Sequence, residues 1–584
     1  MTASPAPLKH PAWRIWDNPI FRRYCCSRLR MKGLGVGLLL TVLIAGFMVA
    51  MAQSTGMSNA TNEIAALYHD PTATIDESTI YRKHMMVSAR SALMPMLILQ
   101  GVILFVLGTA QVAGGMTAER DEGVIDYQRL IPMSPLSKVL GYVFGLPVRE
   151  YVMFLATLPF AAWLFWKGEV KSSVWLQLYT AIFSTTLVYH FTGLLTGTVA
   201  KNRRWAFLAS IGVVFCLYTV IPQLAKFGLV FFKYLTITPV VEECLPEMLP
   251  DQMAAPLRAF RHFVPVVKFF GLDFSELVFT LFSQLALILT FIIMLCRKWR
   301  RAESHLLGKI WATGFFIWIQ ILLLGNALPL VETGELFPSR AMTRFTRVVE
   351  GWQPRPMEAV VMSGVYGLFT LLLLFLLSGI ITATPENQVK GWRRARKQGR
   401  TSLPFLSDEA TSFWFVIVMA VSGAAGWYLF TRGLVESPWF PGQEVPMQTL
   451  GYFAAVMLTC GLGFQLMLEG WGGRVLTLMA IFVGVVPVMI GAVMIPMGDK
   501  LYPAAAWLIS ISPLSTPIFA SGSLLDLAEL PHQIARAVPR AFRFWLFVGG
   551  ITSLWLAYRL FSARRAMAKD VLEGAPVVAE TEEA

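Results

Sequence analysis

Four carboxylic acids fall within eight residues of a short polar stretch, which lies between two long apolar segments at about 90–114 and 139–166. The four acids are Glu119, Asp121, Glu122 and Asp126. The last three stand at i, i+1 and i+5, so a short helix through them would carry an acidic edge. Gly123 interrupts this helix, and Pro132 and Pro135 end it before the next segment begins. Such a helix suits docking to a soluble partner, and a solvated loop with ordinary charges is the alternative.

No motif for catalysis or nucleotide binding accompanies these acids. The chain lacks the phosphate-loop pattern G-x-x-x-x-G-K-[ST], and its one Gly-Lys pair, Gly308-Lys309, is followed by isoleucine. It also lacks H-E-x-x-H and G-x-S-x-G, and none of its six cysteines has metal-ligand spacing. We therefore expect no catalytic residue, no metal and no cofactor in this chain. Asp70, Asp76 and Glu77 keep a membrane-embedded lipid- or glycan-modifying enzyme open as an alternative.

The elements that would position the acids are membrane helices. Of 584 residues, 55% are hydrophobic and 15% are charged, whereas soluble domains average about 25% charged residues. The apolar residues form runs of about 20, which is the length that crosses a bilayer. We predict twelve such runs, at 33–53, 90–114, 139–166, 174–200, 205–225, 276–296, 307–330, 359–383, 411–433, 448–470, 473–496 and 542–562.

The basic residues are arranged as expected for a membrane protein and not for one that binds nucleic acid. With the N-terminus placed inside, the dense clusters that account for the net charge of +13 all fall in inner segments. The outer loop 434–447 has no lysine or arginine. This asymmetry follows the positive-inside rule. It predicts an integral membrane protein with both termini in the cytoplasm and with lipid as a partner.

The predicted helices form an internal repeat. The starts of runs one to six and of runs seven to twelve are offset by 266 to 274 residues. We therefore predict an all-α integral membrane fold with two pseudo-repeated six-helix halves. Repeats in a membrane bundle usually meet at a central pathway, which favours transport.

This repeat sets the predicted domain organisation. An N-terminal interfacial helix (1–32) precedes the first half (33–296). A basic linker (297–306) leads to the second half (307–562), and a cytoplasmic tail (563–584) follows. Before its last helix each half has a long outer segment, 226–275 or 497–541, that is unusually apolar. Its apolar pieces are too short to span a bilayer, so re-entrant or interfacial helices fit best, and a small outer cap is the alternative.

The stretch Trp13–Arg30 is predicted to be an amphipathic helix that lies in the membrane interface. Asn18 can cap it, and Pro19 suits its first turn. Its arginines are expected to reach lipid phosphates. These arginines are Arg22, Arg23, Arg28 and Arg30.

The order of residues in segment 117–138 is distinctive. Two acids and a glycine are followed by a P-x-S-P turn and by a lysine that opens the next helix. The matching residues are Glu119, Glu122, Gly123, Val124, Pro132, Ser134, Pro135 and Lys138. In this order they resemble the cytoplasmic coupling segment of ABC-2 type transporter permeases. The preceding N-P-I-F-R-R also resembles the lead-in of many such permeases, but Tyr24 stands where they often have an acid, so a salt bridge made there would be absent.

This resemblance implies that segment 117–138 fits a cleft on a separate ATPase subunit, expected to be a dimer, which binds ATP and Mg. The coupling residues that it implies are Glu119, Arg120, Asp121, Glu122, Gly123, Asp126, Pro132, Ser134, Pro135 and Lys138. It further implies a type V exporter-like protein in the bacterial inner membrane, with two permease halves fused in one chain. The cargo stays open among lipid, glycan, peptide and drug.

The second half departs from this pattern in its inner turn, 384–410, which is basic and lacks the acidic core. This turn either docks on an ATPase in another way or binds anionic lipid.

Few ionisable residues lie within the predicted spans, and this argues for an external source of energy. Arg149 and Glu150 are the exceptions, and each is expected to need its own partner. His190 is expected to be hydrogen-bonded to a neighbour, and a role as a proton relay is the alternative. A gradient-driven secondary transporter is therefore the main alternative to an ATP-driven one.

Overall fold

The computed structural model describes residues 13–69, 76–200, 202–250, 267–340, 352–524 and 532–573. It is 82% helical. Parts of four predicted segments, 1–32, 226–275, 497–541 and 563–584, lie outside the described residues, as does Asp70.

Eleven helices in the described part of the chain are long and apolar enough to cross a membrane, judged by length and composition. The prediction of an integral membrane protein is thereby supported, but the number of spans differs from the predicted twelve. The run predicted at 174–200 does form a helix, Ser172–Val199. Its glutamine, its histidine and its many threonines make it too polar to count with the others.

The chain divides into two compact units. Unit 1 contains residues 1–224, 232–268 and 272–303, and unit 2 contains 225–231, 269–271 and 304–584.

Unit 1 contains eleven described α-helices. They are α1 (Pro19–Arg28), α2 (Met31–Leu67), α3 (Glu77–Gly101), α4 (Thr109–Asp121), α5 (Val124–Leu130), α6 (Pro135–Gly145), α7 (Val148–Lys167), α8 (Ser172–Val199), α9 (Arg203–Phe215), α10 (Thr238–Met248) and α11 (Glu276–Arg300).

Unit 2 contains nine further α-helices with described bounds. They are α12 (Lys309–Glu332), α13 (Pro356–Ile381), α14 (Pro385–Lys397), α15 (Phe413–Val435), α16 (Gln448–Met479), α17 (Val486–Met494), α18 (Tyr502–Ile509), α19 (Thr516–Leu524) and α20 (His532–Glu573).

Several helices run into one another through π-helical turns. The turn Val102–Gly108 joins α3 to α4, so that Glu77–Asp121 is one continuous helix of 45 residues. Similar turns, Cys216–Val220 and Ala480–Val485, follow α9 and α16. Such turns are uncommon and frequently lie at functional sites.

Each unit has its own apolar core. In unit 1, buried residues of α3, α4, α6, α7 and α8 form a continuous cluster that includes Tyr142. In unit 2, the Trp427 ring stacks on Phe453 with 3.7 Å between ring centroids. The Trp427 indole N–H donates to Ser363 Oγ at 3.1 Å. This indole N–H is thus hydrogen-bonded to a neighbour on another helix, as is usual for a buried polar group.

The N-terminal region differs from prediction. Its α-helix covers only Pro19–Arg28, preceded by the 3-10 turn Ile15–Asp17, and is shorter than the predicted Trp13–Arg30. Val267–Phe269 and Leu272–Phe274 pair as a small two-stranded hairpin, and the fold class is all-α as predicted. The short helix α10 lies within the first predicted outer segment.

Candidate functional site

The acidic stretch begins at the end of the 45-residue helix and continues into α5. Gly123 separates α4 from α5 and has a left-handed backbone with φ of 72°. Glycine adopts this conformation without steric cost, and this explains its place at the corner. Pro135 occupies the first turn of α6, and the Ser134 side chain caps this helix by accepting the Ser137 N–H at 3.1 Å. The helix α5 is therefore held between two defined corners.

Glu119 is a buried junction between three helices. Its side chain is 14% exposed. One carboxylate oxygen accepts the Tyr24 hydroxyl at 2.8 Å and forms an ion pair with Arg23. The other oxygen accepts the Tyr142 hydroxyl at 3.2 Å. Glu119 therefore ties α1 and α6 to the end of α4, and its carboxylate is occupied inside the chain.

Tyr24 has a role that the sequence did not indicate. A tyrosine is uncharged and cannot form the salt bridge that an acid would form here. Its hydroxyl instead donates a hydrogen bond to Glu119. Burial, followed by the nearby Glu119 carboxylate, raises the pKa of Tyr24. The phenol therefore keeps its proton and remains a donor. The Tyr24 ring also meets the Tyr142 ring edge to face at 5.8 Å.

Two glycines on α6 allow α1 to approach closely. A Cβ at Gly141 would lie 2.8 Å from Asn18 Oδ1, and a Cβ at Gly145 would lie 2.8 Å from the Tyr24 ring. The Asn18 amide donates to the Ser137 carbonyl at 2.6 Å, while its oxygen caps α1 as predicted. Glycines four residues apart are a common device for close helix contact. The four-residue spacing of Gly141 and Gly145 is visible in the sequence, but this contact was not predicted.

Arg120 faces its own chain. It donates to the Thr198 carbonyl at 3.0 Å and also to the Ala200 carbonyl, and it pairs with Asp121 at 2.8 Å. These carbonyls lie at the C-terminal end of α8, where no further helical N–H can reach them. Arg120 therefore caps α8.

Lys138 is a second internal cap. Its side chain is buried, and Nζ donates to the Gln128 carbonyl at 2.7 Å and to the Ile131 carbonyl at 3.0 Å. Burial, with a smaller effect of the Arg129 charge, lowers the pKa of Lys138. The lysine closes the end of α5 onto the start of α6.

The remaining residues of the stretch form an exposed surface. Tyr127 is 70% exposed and Leu130 is 82% exposed. Glu122 and Asp126 are exposed beside them, and Asp126 pairs with Arg129 one turn along α5. We call Glu122, Asp126, Tyr127 and Leu130 the acidic knob. Asp121, Gly123 and Pro132 are exposed next to it. Two acids and two large apolar side chains on a fixed helix can bind a cleft with basic walls and an apolar floor.

The arginines of the N-terminal segment were predicted to contact lipid phosphates. In the structure some of them bind side chains of the same chain. Arg23 pairs with Glu119, and Arg28 donates to Gln111 Oε1 at 2.6 Å. Arg22 pairs with Asp17 at 3.0 Å, and Arg30 is exposed before α2.

The ionisable residues within the predicted spans of unit 1 have local partners. Arg149 and Glu150 pair with each other at 2.8 Å, so the expectation of separate partners was wrong. Their side chains meet because Arg149 can bend back along the helix. His190 lies 2.8 Å from the Tyr151 hydroxyl and 3.0 Å from the Leu104 carbonyl in the π-helical turn. It is therefore hydrogen-bonded, as expected.

In unit 2 the turn 384–410 is fastened by a buried lysine. Lys309 is 2% exposed, and its Nζ lies 2.7 to 3.3 Å from four backbone carbonyls. These carbonyls belong to Phe405, Ser407, Ala410 and Thr411. The lysine was noted in the sequence only because it follows a glycine, and its partners, about 100 residues away, gave no local signal.

The helix α14 of the same turn is held by an acid and exposes basic side chains. Arg394 pairs with Glu409 at 2.7 Å. A Cβ at Gly391 would lie 2.5 Å from Glu409 Cβ, so the helix packs tightly against this loop. Its exposed basic residues, which we call the basic stripe, are Lys390, Arg393, Arg394 and Lys397.

Among the described residues, no group of three or more histidines, cysteines or acids is placed to hold a metal ion. Comparison of the chain with protein-family models, with curated proteins and with solved structures gives no match. The function is therefore inferred from the chemistry of these sites.

Proposed function

We propose that this chain is the transmembrane permease subunit of an ATP-driven exporter and that a separate ATPase subunit binds the acidic knob. The observation that carries the proposal is the contrast between the ends of segment 117–138 and its middle. Glu119, whose side chain is 14% exposed, and buried Lys138 are bonded within the chain, while Glu122, Tyr127 and Leu130 are exposed. An exposed surface on a rigid support is what a mechanical coupling element requires.

Two sets of hydrogen bonds connect α5 to the rest of the bundle, and each could transmit a displacement of α5. Lys138 joins its C-terminal end to α6. Glu119, one short turn before its N-terminal corner, joins α4 to α1 and α6. Because buried charge-assisted hydrogen bonds are strong and directional, a displacement of α5 would move α6 and α1 with it.

The proposal places the acidic knob, the basic stripe and both termini in the cytoplasm, and the chain in a bacterial inner membrane. Two fused six-helix halves would form the pathway. This is supported by the spacing of the helices along the chain and by a π-helical turn after α9 in unit 1 and after α16 in unit 2. ATP and Mg would be bound by the partner, expected to be a dimer.

The charge of the chain supports one class of partner. The chain has a net charge of +13, so the acidic knob differs in sign from the chain as a whole. A complementary cleft would carry lysine or arginine at its rim and apolar residues within. The ATPase subunit is therefore expected to contribute a basic rim around Tyr127 and Leu130.

The proposal is tested by purifying the tagged full-length chain from its native membrane in mild detergent. We expect an ATPase subunit to co-elute and Mg-dependent ATP hydrolysis to accompany it. Glu122→Arg should reduce this co-elution at least about tenfold, because it places a like charge against a basic cleft. Glu444→Arg, which reverses another exposed acid, is the matched control and should leave it unchanged.

Three results would contradict the proposal. The first is full co-elution of the ATPase with the Glu122→Arg variant. The second is a protease or cysteine-labelling map that places α5 on the outer face of the membrane. The third is substrate transport by the purified chain in vesicles without nucleotide, which would favour a gradient-driven carrier or an enzyme.

A further inference from the structure

Unit 2 contains a cavity of about 540 Å³. Its walls come from α13, α16, α20, the π-helical turn Ala480–Val485 and the segment from α18 to α19. That last segment contains the turn 512–517, which the sequence marks by two prolines within an apolar stretch. The cavity is separate from the acidic knob, which belongs to unit 1.

The lining of this cavity is apolar. Phe375, Val456, Phe464, Leu514 and Leu546 are representative of its walls. A volume in this range is typical of sites that hold a small molecule or a ligand chain.

Four of the five hydroxyl groups at the lining are already used. Ser510 Oγ donates to the Trp507 carbonyl at 2.7 Å, and Thr516 Oγ1 donates to the Ser512 carbonyl at 2.8 Å. Thr552 Oγ1 donates to the Val548 carbonyl at 2.8 Å.

Ser553 Oγ likewise donates to the Thr459 carbonyl at 3.1 Å. An ordered water needs two to four polar partners, and a polar ligand needs similar groups. These four hydroxyl groups are committed to backbone carbonyls, and the Trp545 indole N–H is a buried donor at the lining without a partner in the described part of the chain. Free polar groups are therefore few against the apolar walls, and the lining favours a hydrocarbon occupant over a polar ligand.

The cavity is open at an apolar part of the surface. Leu372, Val483 and Val485 line it, and they are 44%, 37% and 41% exposed. The helices α13 and α20 and the segment Ala480–Met497 are candidate membrane spans. In a bilayer, the molecules that meet such a surface are lipid chains.

We propose that this cavity binds one hydrocarbon chain of a bilayer phospholipid. The chain would enter past Leu372 and Val483 and lie between α16 and α20. Burial of methylene groups away from water or loosely packed lipid would stabilise it there, and no charged side chain is needed at this depth. The inference is independent of the proposed ATPase partner.

Two glycines on α16 provide a filling variant and a matched control. A Cβ at Gly463, which lines the cavity, would have Ser553 Oγ at 3.6 Å as its nearest neighbour, so a larger side chain has room to extend into the space. Gly451 lies on the same helix, has nothing within 4 Å of a Cβ, and does not line the cavity. Gly463→Phe should fill the site, and Gly451→Phe should not.

The experiment reconstitutes the full chain in phosphatidylcholine vesicles that contain a phosphatidylcholine with a diazirine near the end of one acyl chain. After illumination, adducts are mapped by peptide mass spectrometry. We expect adducts on 456–467 and 510–519 in the wild-type chain. Gly463→Phe should reduce them at least about tenfold, because its ring would occupy the space that the acyl chain would fill. Gly451→Phe should leave them unchanged.

Equal adduct yields in both variants and the wild-type chain would overturn the inference, as would adducts spread evenly over the exposed apolar surface. Labelling of the cavity by a diazirine fatty acid but not by the phosphatidylcholine probe would overturn the assignment to phospholipid. If Gly463→Phe does not give a monodisperse protein, Gly484→Val serves instead. A Cβ at Gly484 lies 3.7 Å from Leu514 and also faces the lining, so unchanged labelling in that variant would equally count against the inference.

Discussion

The turns 117–138 of unit 1 and 384–410 of unit 2 are fastened by the same means and expose opposite charges. In unit 1, buried Lys138 holds two backbone carbonyls, and Glu119 holds Arg23 and two tyrosines. In unit 2, buried Lys309 holds four carbonyls, and Glu409 holds Arg394. The first turn then exposes the acidic knob, and the second exposes the basic stripe.

This comparison separates support from recognition. A lysine at the start of a helix can satisfy carbonyls at the end of another segment whatever charge the surface carries. The exposed side chains, which the support does not constrain, are then free to differ. We expect substitutions in the supports to change stability and substitutions on the exposed faces to change binding.

The largest loss of stability is expected for Lys309→Met. Four carbonyls, of which that of Ala410 is buried and the others are partly buried, would lose a charged donor. This should lower the free energy of unfolding by about 3–5 kcal/mol. Unfolding of the purified chain in mixed micelles with increasing SDS measures this. Lys397→Met, which removes an exposed lysine of the basic stripe, should change it by less than about 0.5 kcal/mol. Equal effects of the two substitutions would show that the buried contacts of Lys309 do not support the turn.

A somewhat smaller loss is expected for Glu119→Gln. The variant leaves Arg23 without its charged partner and weakens the bonds to Tyr24 and Tyr142, at a cost of about 2–3 kcal/mol. Trypsin should then cut more rapidly between α1 and α2, because α1 is no longer tied to α4. In the control variant Glu122→Gln, three residues away on the exposed face, trypsin should cut at the wild-type rate. Unaltered cleavage in Glu119→Gln would contradict the role of this junction.

The close contact between α1 and α6 can be tested by two glycine-to-alanine substitutions that should change the free energy of unfolding in opposite directions. Gly141→Ala should lower the free energy of unfolding by about 1–2 kcal/mol, because its Cβ would overlap Asn18. Gly212→Ala, in α9, has open space around its Cβ and should raise the free energy of unfolding by up to about 1 kcal/mol through helix propensity. A stabilising Gly141→Ala would mean that α1 does not pack on this face of α6.

The smallest effect on stability is expected on the basic stripe, where a change in binding should appear instead. Arg393→Gln and Lys397→Gln should each weaken retention of anionic over zwitterionic lipid about fivefold, without a measurable change in unfolding. Lipid retained by the purified chain is quantified by mass spectrometry. Lys500→Gln, at another exposed lysine, is the control. If neither substitution changes lipid retention, docking to an ATPase becomes the better interpretation of the stripe.

The sequence was sufficient for the helical class and for most candidate spans, because run length and hydropathy are local properties. The corner at Gly123 was also predicted, since few other residues suit a left-handed turn. The twelve predicted spans and the eleven candidate spans differ at α8, which forms at the predicted place but is more polar than the others. Its polar residues face neighbours within the bundle, as His190 does.

The buried contacts were beyond the sequence for a physical reason. Glu119 and Lys138 look like members of one exposed charged stretch, and only tertiary packing turns them inward. Tyr24 and Glu119 are 95 residues apart, and Lys309 and Phe405 are 96 apart. Residue types and local spacing do not encode which partner a side chain meets at such separation. The internal bonds of Glu119 and Arg120, two of the coupling residues that the resemblance implies, could therefore not be predicted.

The π-helical turn Val102–Gly108 determines the angular phase of everything after it in the 45-residue helix. A single inserted residue rotates the following side chains by about 100° relative to an uninterrupted α-helix. A chain one residue shorter there would present a different side of α4 to α1, and Glu119 would no longer point at Tyr24. The attachment of the N-terminal helix is therefore set by helical winding some fifteen residues upstream of the carboxylate that makes it.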